Sequence, residues 1–216
     1  MVTLQLQQLS VPPGQRLLIH RVGWSEFEQI LAELGEKRAA RIAYSQNTLE
    51  IRMPLPKHER EKSLISDVVK ILLEELEIDC ECFGSTTFKR KEMGYGIEPD
   101  DCFYIENHQL MVGKERIDLS VDPPPDLAIE VDVTSQTQID AYINLGVAEL
   151  WIYKGKELRI FSLESGQYQA VSHSPTFPKL PIVELVAEVI EQSITIGRSP
   201  ALRALRRKIR HLNSTT

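Results

Sequence analysis

Apolar positions recur along the chain with two periods, and each period predicts a different element. From about residue 61 to 78, Leu64, Ile65, Val68, Val69, Leu72 and Leu76 return every three or four residues, with Ile71 and Leu73 widening the stripe. That is the pattern of a long amphipathic helix. Phe27, Ile30, Leu31 and Leu34 predict a shorter one, opened by a Ser25–Glu28 capping box and stopped by Gly35. In the stretch DLAIEVDV the period falls to two. Leu127, Ile129, Val131 and Val133 share one face of a strand, and Asp126, Ala128, Glu130 and Asp132 share the other.

The remaining elements follow from turn signals. RAARIAYSQNTLEIRMPL predicts a hairpin around a Ser-Gln-Asn turn, ended by Pro54 and Pro56. CECFGSTTFK and IEPDDCFYIE predict two strands separated by the loop RKEMGYG. Ser135 and Gln138 form a second capping box, Ile139, Tyr142 and Ile143 supply an apolar stripe, and Gly146 ends a helix of little more than two turns. AELWIY follows as a strand, YKGKELRIFSL as a hairpin on a Lys-Gly turn, and QYQAV as a further short strand. Two C-terminal helices are expected near 179–192 and 200–212, with Pro200 as the first helical residue of the second. A strand, a crossover helix and a returning strand, flanked by a hairpin and helices, describe an α/β or α+β mixed sheet. A chain of 216 residues holds one such domain, expected over 24–175, with an N-terminal extension at 1–23 and a helical extension at 176–216 packed on it.

Composition narrows the setting. The chain is 42% apolar and 26% charged, and no run approaches the roughly 18 apolar residues of a membrane span. With no basic leader or cleavage site at the start, the expectation is a cytoplasmic protein. Cys80, Cys82 and Cys102 form no CxxC pair and read as buried thiols. Residues 198–216 hold six of the 25 basic residues and no acid, so the rest carries 19 bases against 31 acids, a net of -12. A basic tail on an acidic body can touch phosphates or the body itself.

Two strands carry more carboxylate than a core strand should. GIEPDDCFYI brings Glu98, Asp100 and Asp101, and PPPDLAIEVDVTS brings Asp126, Glu130 and Asp132. Two like charges about 4 Å apart repel by roughly 4 kcal/mol at an effective dielectric of 20, so something positive must compensate. Either the acids pair with Lys89, Arg90, Lys91 and Arg159 or stay in water, or neighbouring strands let Asp100 and Glu130 hold a hard divalent cation, magnesium fitting best.

The order Pro99-Asp100 on one strand, Glu130 to Asp132 on a later apolar strand, then a helix resembles the PD-(D/E)XK nuclease superfamily. LEIRMPLPKHE, GSTTFKRKEMGYGIEPDDCFYI, PPPDLAIEVDVTS and YINLGVAELWIY together resemble the Uma family of restriction endonucleases, formerly a domain of unknown function, from about residue 24 to 163. The resemblance implies a restriction-endonuclease-like core and a magnesium- or manganese-dependent DNA endonuclease. Asp100 and Glu130 would hold the metal and the Val131 carbonyl would add a ligand. Asp132 stands where the superfamily places a lysine, and becomes a further ligand. Gln138 stands four residues before Tyr142, where members of the family carry a basic residue. Lys89 and Lys91, from the preceding strand and loop, are then the candidates for the catalytic lysine, Lys89 the expected one. A dimer would give two sites for two strands.

Other residues have ordinary readings beside functional ones. Glu50, His58 and Glu61 are candidates for a third contribution from upstream, Glu61 the best of them for assisting the metal. Its place in a first helical turn is explained equally by the helix dipole, and His58 reads as a loop residue. Trp151, Tyr153 and Tyr142 can stack on a base or pack in the core. The absent lysine leaves a rival reading: a nuclease fold without catalysis, serving to bind nucleic acid or protein.

Overall fold

The computed structural model describes residues 8–35, 38–132 and 135–214, so Val133, the last apolar position of the alternating strand, lies outside the described residues. In chain order the first elements are β1 (Arg16–His20), α1 (Trp24–Leu34), β2 (Arg41–Ser45), β3 (Thr48–Arg52) and α2 (Pro56–Glu75). Next come β4 (Glu81–Cys82), β5 (Phe88–Arg90), β6 (Tyr95–Ile97), β7 (Asp101–Tyr104), α3 (His108–Met111) and β8 (Leu127–Val131). The chain ends through α4 (Gln136–Leu145), β9 (Glu149–Lys154), β10 (Glu157–Glu164), β11 (Gln167–Val171), α5 (Ile182–Thr195) and α6 (Arg198–Ser214).

Two sheets form where one was expected. The first is antiparallel in the order β1-β3-β2-β6-β5, and the second is mixed, β11-β10-β9-β8-β7-β4, with β8 and β9 parallel across the α4 crossover. The reason lies at two breaks that apolar content does not reveal. Gly84, at φ 60°, divides β4 from β5, and the Glu98-Pro99-Asp100 step divides β6 from β7, so each expected strand begins in one sheet and finishes in the other. Proline has no N–H for a ladder bond, which suits it to that step. The N-terminal extension also holds a strand, since β1 pairs with β3 along its whole length.

Three apolar clusters separate five layers. Leu64, Val68 and Leu72 of α2, with Val186 of α5 and Ile209 of α6, cover the Leu127, Ile129 and Val131 face of the second sheet. Ala141, Tyr142 and Leu145 of α4 pack with Ala128 and Leu150 on its other face and reach Ala43 and Ile97 of the first sheet. Phe27 of α1 closes the far side of the first sheet against Tyr44, Leu49 and Ile51, stacked on Tyr44 at a ring separation of 4.4 Å.

Helix ends follow local rules with small shifts. At α1 the box sits two residues earlier than expected, with Glu26 Oε2 accepting the Gly23 N–H at 2.7 Å. Pro56 opens α2 in the first turn, five residues before the apolar stripe makes the helix visible. Ser135 Oγ accepts the Gln138 N–H at 3.4 Å, and Gly146 ends α4 in the left-handed region at φ 80°. Pro200 is the third residue of α6 rather than the first.

The basic tail binds the acidic body. Arg206 pairs with Glu74 at 2.8 Å and Glu75 at 3.1 Å, Arg210 with Glu75 at 2.6 Å, Lys208 with Glu188 at 2.5 Å, and Arg198 with Asp67. Trp151 and Tyr153 are core residues, which takes the stacking reading away from them. Cys102 is buried, Cys80 half-buried and Cys82 exposed, so only one thiol meets the buried expectation. Among the described residues no helix is long and apolar enough to cross a membrane.

Candidate active site

Antiparallel pairing of β7 with β8 sets Asp101 opposite Ile129, which places Asp100 opposite Glu130 at the end of the ladder. Asp100 replaces the next rung with its own groups: its N–H donates to the Ile129 carbonyl at 3.1 Å and its Oδ2 accepts the Val131 N–H at 2.7 Å. Backbone contacts thus hold both the main chain and one carboxylate oxygen of Asp100. Glu130 points to the α4 face, as the alternation predicts, and is fully buried there. Tyr142 Oη donates to its Oε1 at 2.6 Å, and Arg52 Nη2 to its Oε2 at 3.0 Å.

Arg52 arrives from the other sheet. It ends β3 on the face shared by Thr48 and Glu50, opposite Leu49 and Ile51, and so reaches across to the second sheet. Its Nη2 lies 3.8 Å from Asp100 Oδ1, and its Nη1 donates to the Val131 carbonyl at 3.4 Å. Arg41, from β2, adds a second cation, with Nε 4.0 Å from Asp100 Oδ1 and Nη2 3.6 Å from Glu59. Burial pushes the Glu130 carboxyl up to about 7; Arg52 opposes that shift and the neighbouring Asp100 charge adds to it. Burial alone would lower the Arg52 pKa, but Glu130 and Asp100 together raise it, so the guanidinium stays charged.

Asp132 does not continue the alternation. The strand ends at Val131, and Asp132 takes up φ 65°, a left-handed conformation that turns its carboxylate out of line with Glu130. There it meets His58, in the first turn of α2 rather than in a loop, with His58 Nε2 2.9 Å from Asp132 Oδ2. Arg16, Arg52, His58, Asp100, Val131 and Asp132 all line one cleft of about 400 Å³.

Other expected site residues stand elsewhere. Lys89 lies on the edge strand β5, its Nζ 2.9 Å from Glu28 of α1, and does not join the cluster. Glu61 pairs with Lys57 at 3.6 Å one turn into α2. Gln138 is buried at the start of α4, tied to the Ser135 cap. Glu50 is buried beside Arg52 on β3, and neither of its oxygens has a hydrogen-bond partner; Arg16 Nη1 is 4.0 Å away. The surplus acids of the two strands have structural work. Glu98 binds Arg38, Thr87 and the Ile42 N–H, Asp101 accepts the Cys102 N–H, and Asp126 ties down Ile105 and Asn107. Arg52 and Arg41 were not among the expected residues. The signal for Arg52 was in the hairpin: Thr48, Glu50 and Arg52 alternate with Leu49 and Ile51, a polar face on a strand apolar enough for the core.

The expected metal ligands are oxygens of the right kind for a hard cation. Their shared position is taken. Arg52 touches the Glu130 carboxylate and the Val131 carbonyl and faces Asp100, and among the described residues no three His, Cys, Asp or Glu side chains gather as a metal site. With the guanidinium there, the donor set does not fit a divalent ion.

Comparison with known proteins agrees with the fold. No curated protein matches the sequence. Among solved structures that match is a crystal structure of a "putative nuclease belonging to DUF820" from Anabaena variabilis ATCC 29413, with 18% sequence identity, a TM-score of 0.52, and coverage of 74% of this chain and 95% of that one. At that identity the likeness shows the shared restriction-endonuclease-like fold. The model of the Uma2 family, described as "Putative restriction endonuclease", matches residues 24–196, past the sequence motifs and through α5. The chain belongs to the Uma2 family.

Proposed function

We propose that the protein is a nuclease that hydrolyses DNA phosphodiester bonds in the cleft where β7 begins and β8 ends. The observation that carries this reading is the pairing of Asp100, which lines that cleft, with the fully buried Glu130 opposite it, in a member of a restriction-endonuclease family. Arg16 and Arg52 line the cleft and offer two guanidinium groups to an anionic phosphate. His58 stands at its wall with Nε2 2.9 Å from Asp132 Oδ2, which places that carboxylate to pair with an imidazolium. In hydrolysis a water oxygen bonds to phosphorus as the ester P–O bond breaks. The water's proton passes to His58, Asp132 steadies the imidazolium, and the departing oxygen takes a proton from solvent. The magnesium or manganese ion expected from the family resemblance has no step here, because Arg52 fills its position.

The rival reading, a nuclease fold that binds nucleic acid without cutting it, rests on the same Arg52, which already balances charge that catalysis would use. One assay separates them. Supercoiled, linear and single-stranded DNA are incubated with the protein, with magnesium, with manganese and with a chelator. Cleavage is expected, insensitive to the chelator. Asp100→Asn, which loses the acceptor charge facing Arg52 and Arg41, is expected to slow it at least 100-fold, and His58→Ala by about 100-fold, the usual worth of a general base. DNA binding with no cleavage under any condition leaves the rival standing and removes the nuclease.

A further inference from the structure

We propose that Arg52 is the resident cation of this site: its guanidinium occupies the position a divalent metal would take, and so suppresses metal binding by Asp100, Glu130 and the Val131 carbonyl. The inference concerns the same cleft as the proposed nuclease and rests on that reading for its bearing on catalysis. Its own support is geometric. One side chain meets each of the three oxygen groups expected to ligate metal: Glu130 Oε2 at 3.0 Å, the Val131 carbonyl at 3.4 Å and Asp100 Oδ1 at 3.8 Å.

A guanidinium suits the place. It is always charged, weakly hydrated and planar, so it can stand in a buried site that a strongly hydrated magnesium ion enters reluctantly. Only 13% of the Arg52 side chain is exposed, and the carboxylates it faces are 6% and 0% exposed, so solvent does not screen the interaction. A metal arriving at the same oxygens meets Arg52 directly and Arg41 just behind it, both repelling it. The side chains are also held against displacement. Asp100 Oδ2 is held by the Val131 N–H, its own N–H is tied to the Ile129 carbonyl, and Glu130 is held by the Tyr142 hydroxyl, which restrains the oxygens from turning away to build a second cage beside the guanidinium. The positive charge that the superfamily takes from a lysine at position 132 thus enters this chain from β3, in the other sheet.

The test is calorimetric titration of manganese, in the absence of DNA, into the wild-type protein, Arg52→Gln, Arg52→Lys and Arg52→Gln/Glu130→Gln. Arg52→Gln keeps a donor for Glu130 and removes the charge. It is expected to bind manganese at least tenfold more tightly than wild type, with the gain lost in the double variant. Arg52→Lys keeps the charge and is expected to behave as wild type, which separates occupancy from loosened packing; circular dichroism verifies folding of each. Wild-type affinity equal to that of Arg52→Gln would overturn the proposal, as would a gain in Arg52→Lys of the same size. Because DNA is absent, a failed nuclease assay leaves this result intact, and a failed titration leaves the cleavage result intact.

Discussion

Replacing Glu149 by alanine is expected to cost about 3–5 kcal/mol of stability, with the unfolding midpoint falling by roughly 6–20 °C. Glu149 begins β9 and is 2% exposed. Its Oε1 accepts Trp151 Nε1 at 2.5 Å and Ser174 Oγ at 2.6 Å, while Oε2 accepts the Thr176 N–H at 2.9 Å and Thr176 Oγ1 at 2.6 Å. One carboxylate therefore satisfies four donors, two of them on side chains that are themselves fully buried, and fastens the segment after β11 to the edge of the crossover strand. Alanine removes the acceptor and leaves the donors in place. Each buried donor left without a partner carries a desolvation penalty of about 1–3 kcal/mol, partly relieved where Thr176 can reach water. Urea unfolding of wild type and Glu149→Ala at equal slope measures the difference. A change below about 1 kcal/mol would show that the segment 172–177 repairs its own hydrogen bonds.

Glu149 also shows what a sequence conceals. It precedes Leu150 and Trp151 in AELWIY and looks like a charged strand end; apart from the Trp151 indole, its partners lie 25 and 27 residues further on. Local rules succeeded where the cause is local. The alternation of β8 put Glu130 on the α4 face, the Ser135 cap and Gly146 fixed both ends of α4, and the apolar stripe of α2 found its core. They failed where one residue changes the direction of the chain. Pro99 sends β6 and β7 into different sheets, and the positive φ of Asp132 turns its carboxylate away from Glu130 toward His58. Asp132 reads in sequence as the next position of a strand, because nothing in the pattern of apolar residues registers a backbone rotation.

The cation of the site was hidden for a third reason. In the sequence the cations closest to Asp100 are Lys89, Arg90 and Lys91, on the preceding strand and loop. In the fold, β5 sits at the far edge of the first sheet, whereas β3 reaches the end of β8. Arg52 is 78 residues from Glu130, and only the stacking of two sheets over α4 brings them together. The hairpin's polar face announced that β3 had something to do; it did not announce with whom.

Glu130→Ala is expected to abolish cleavage and to destabilise the protein by about 3–5 kcal/mol, because it strands a buried guanidinium and a buried hydroxyl at once. Arg52 loses its 3.0 Å carboxylate partner and retains only the Val131 carbonyl and the more distant Asp100 charge, and Tyr142 Oη loses its acceptor. The gentler Glu130→Gln keeps the volume and isolates the charge, which gives the prediction a second reading in pH. Glu130 titrates near 7 in the folded protein, against 4.5 for an ordinary glutamate. Between those values the native chain holds a proton that the unfolded chain has released. The contribution to stability is therefore fully present below about 4.5, declines as the pH climbs, and is gone above 7. Glutamine at 130 has no such proton, so the wild type is expected to lose about 2 kcal/mol more than Glu130→Gln between pH 5 and pH 8. Comparing the two proteins cancels the titration of every other acid. Parallel stability profiles across that range would mean that Arg52 holds Glu130 ionised throughout, in which case Arg52 and Glu130 form a permanent ion pair and the burial of Glu130 is fully offset by the guanidinium beside it.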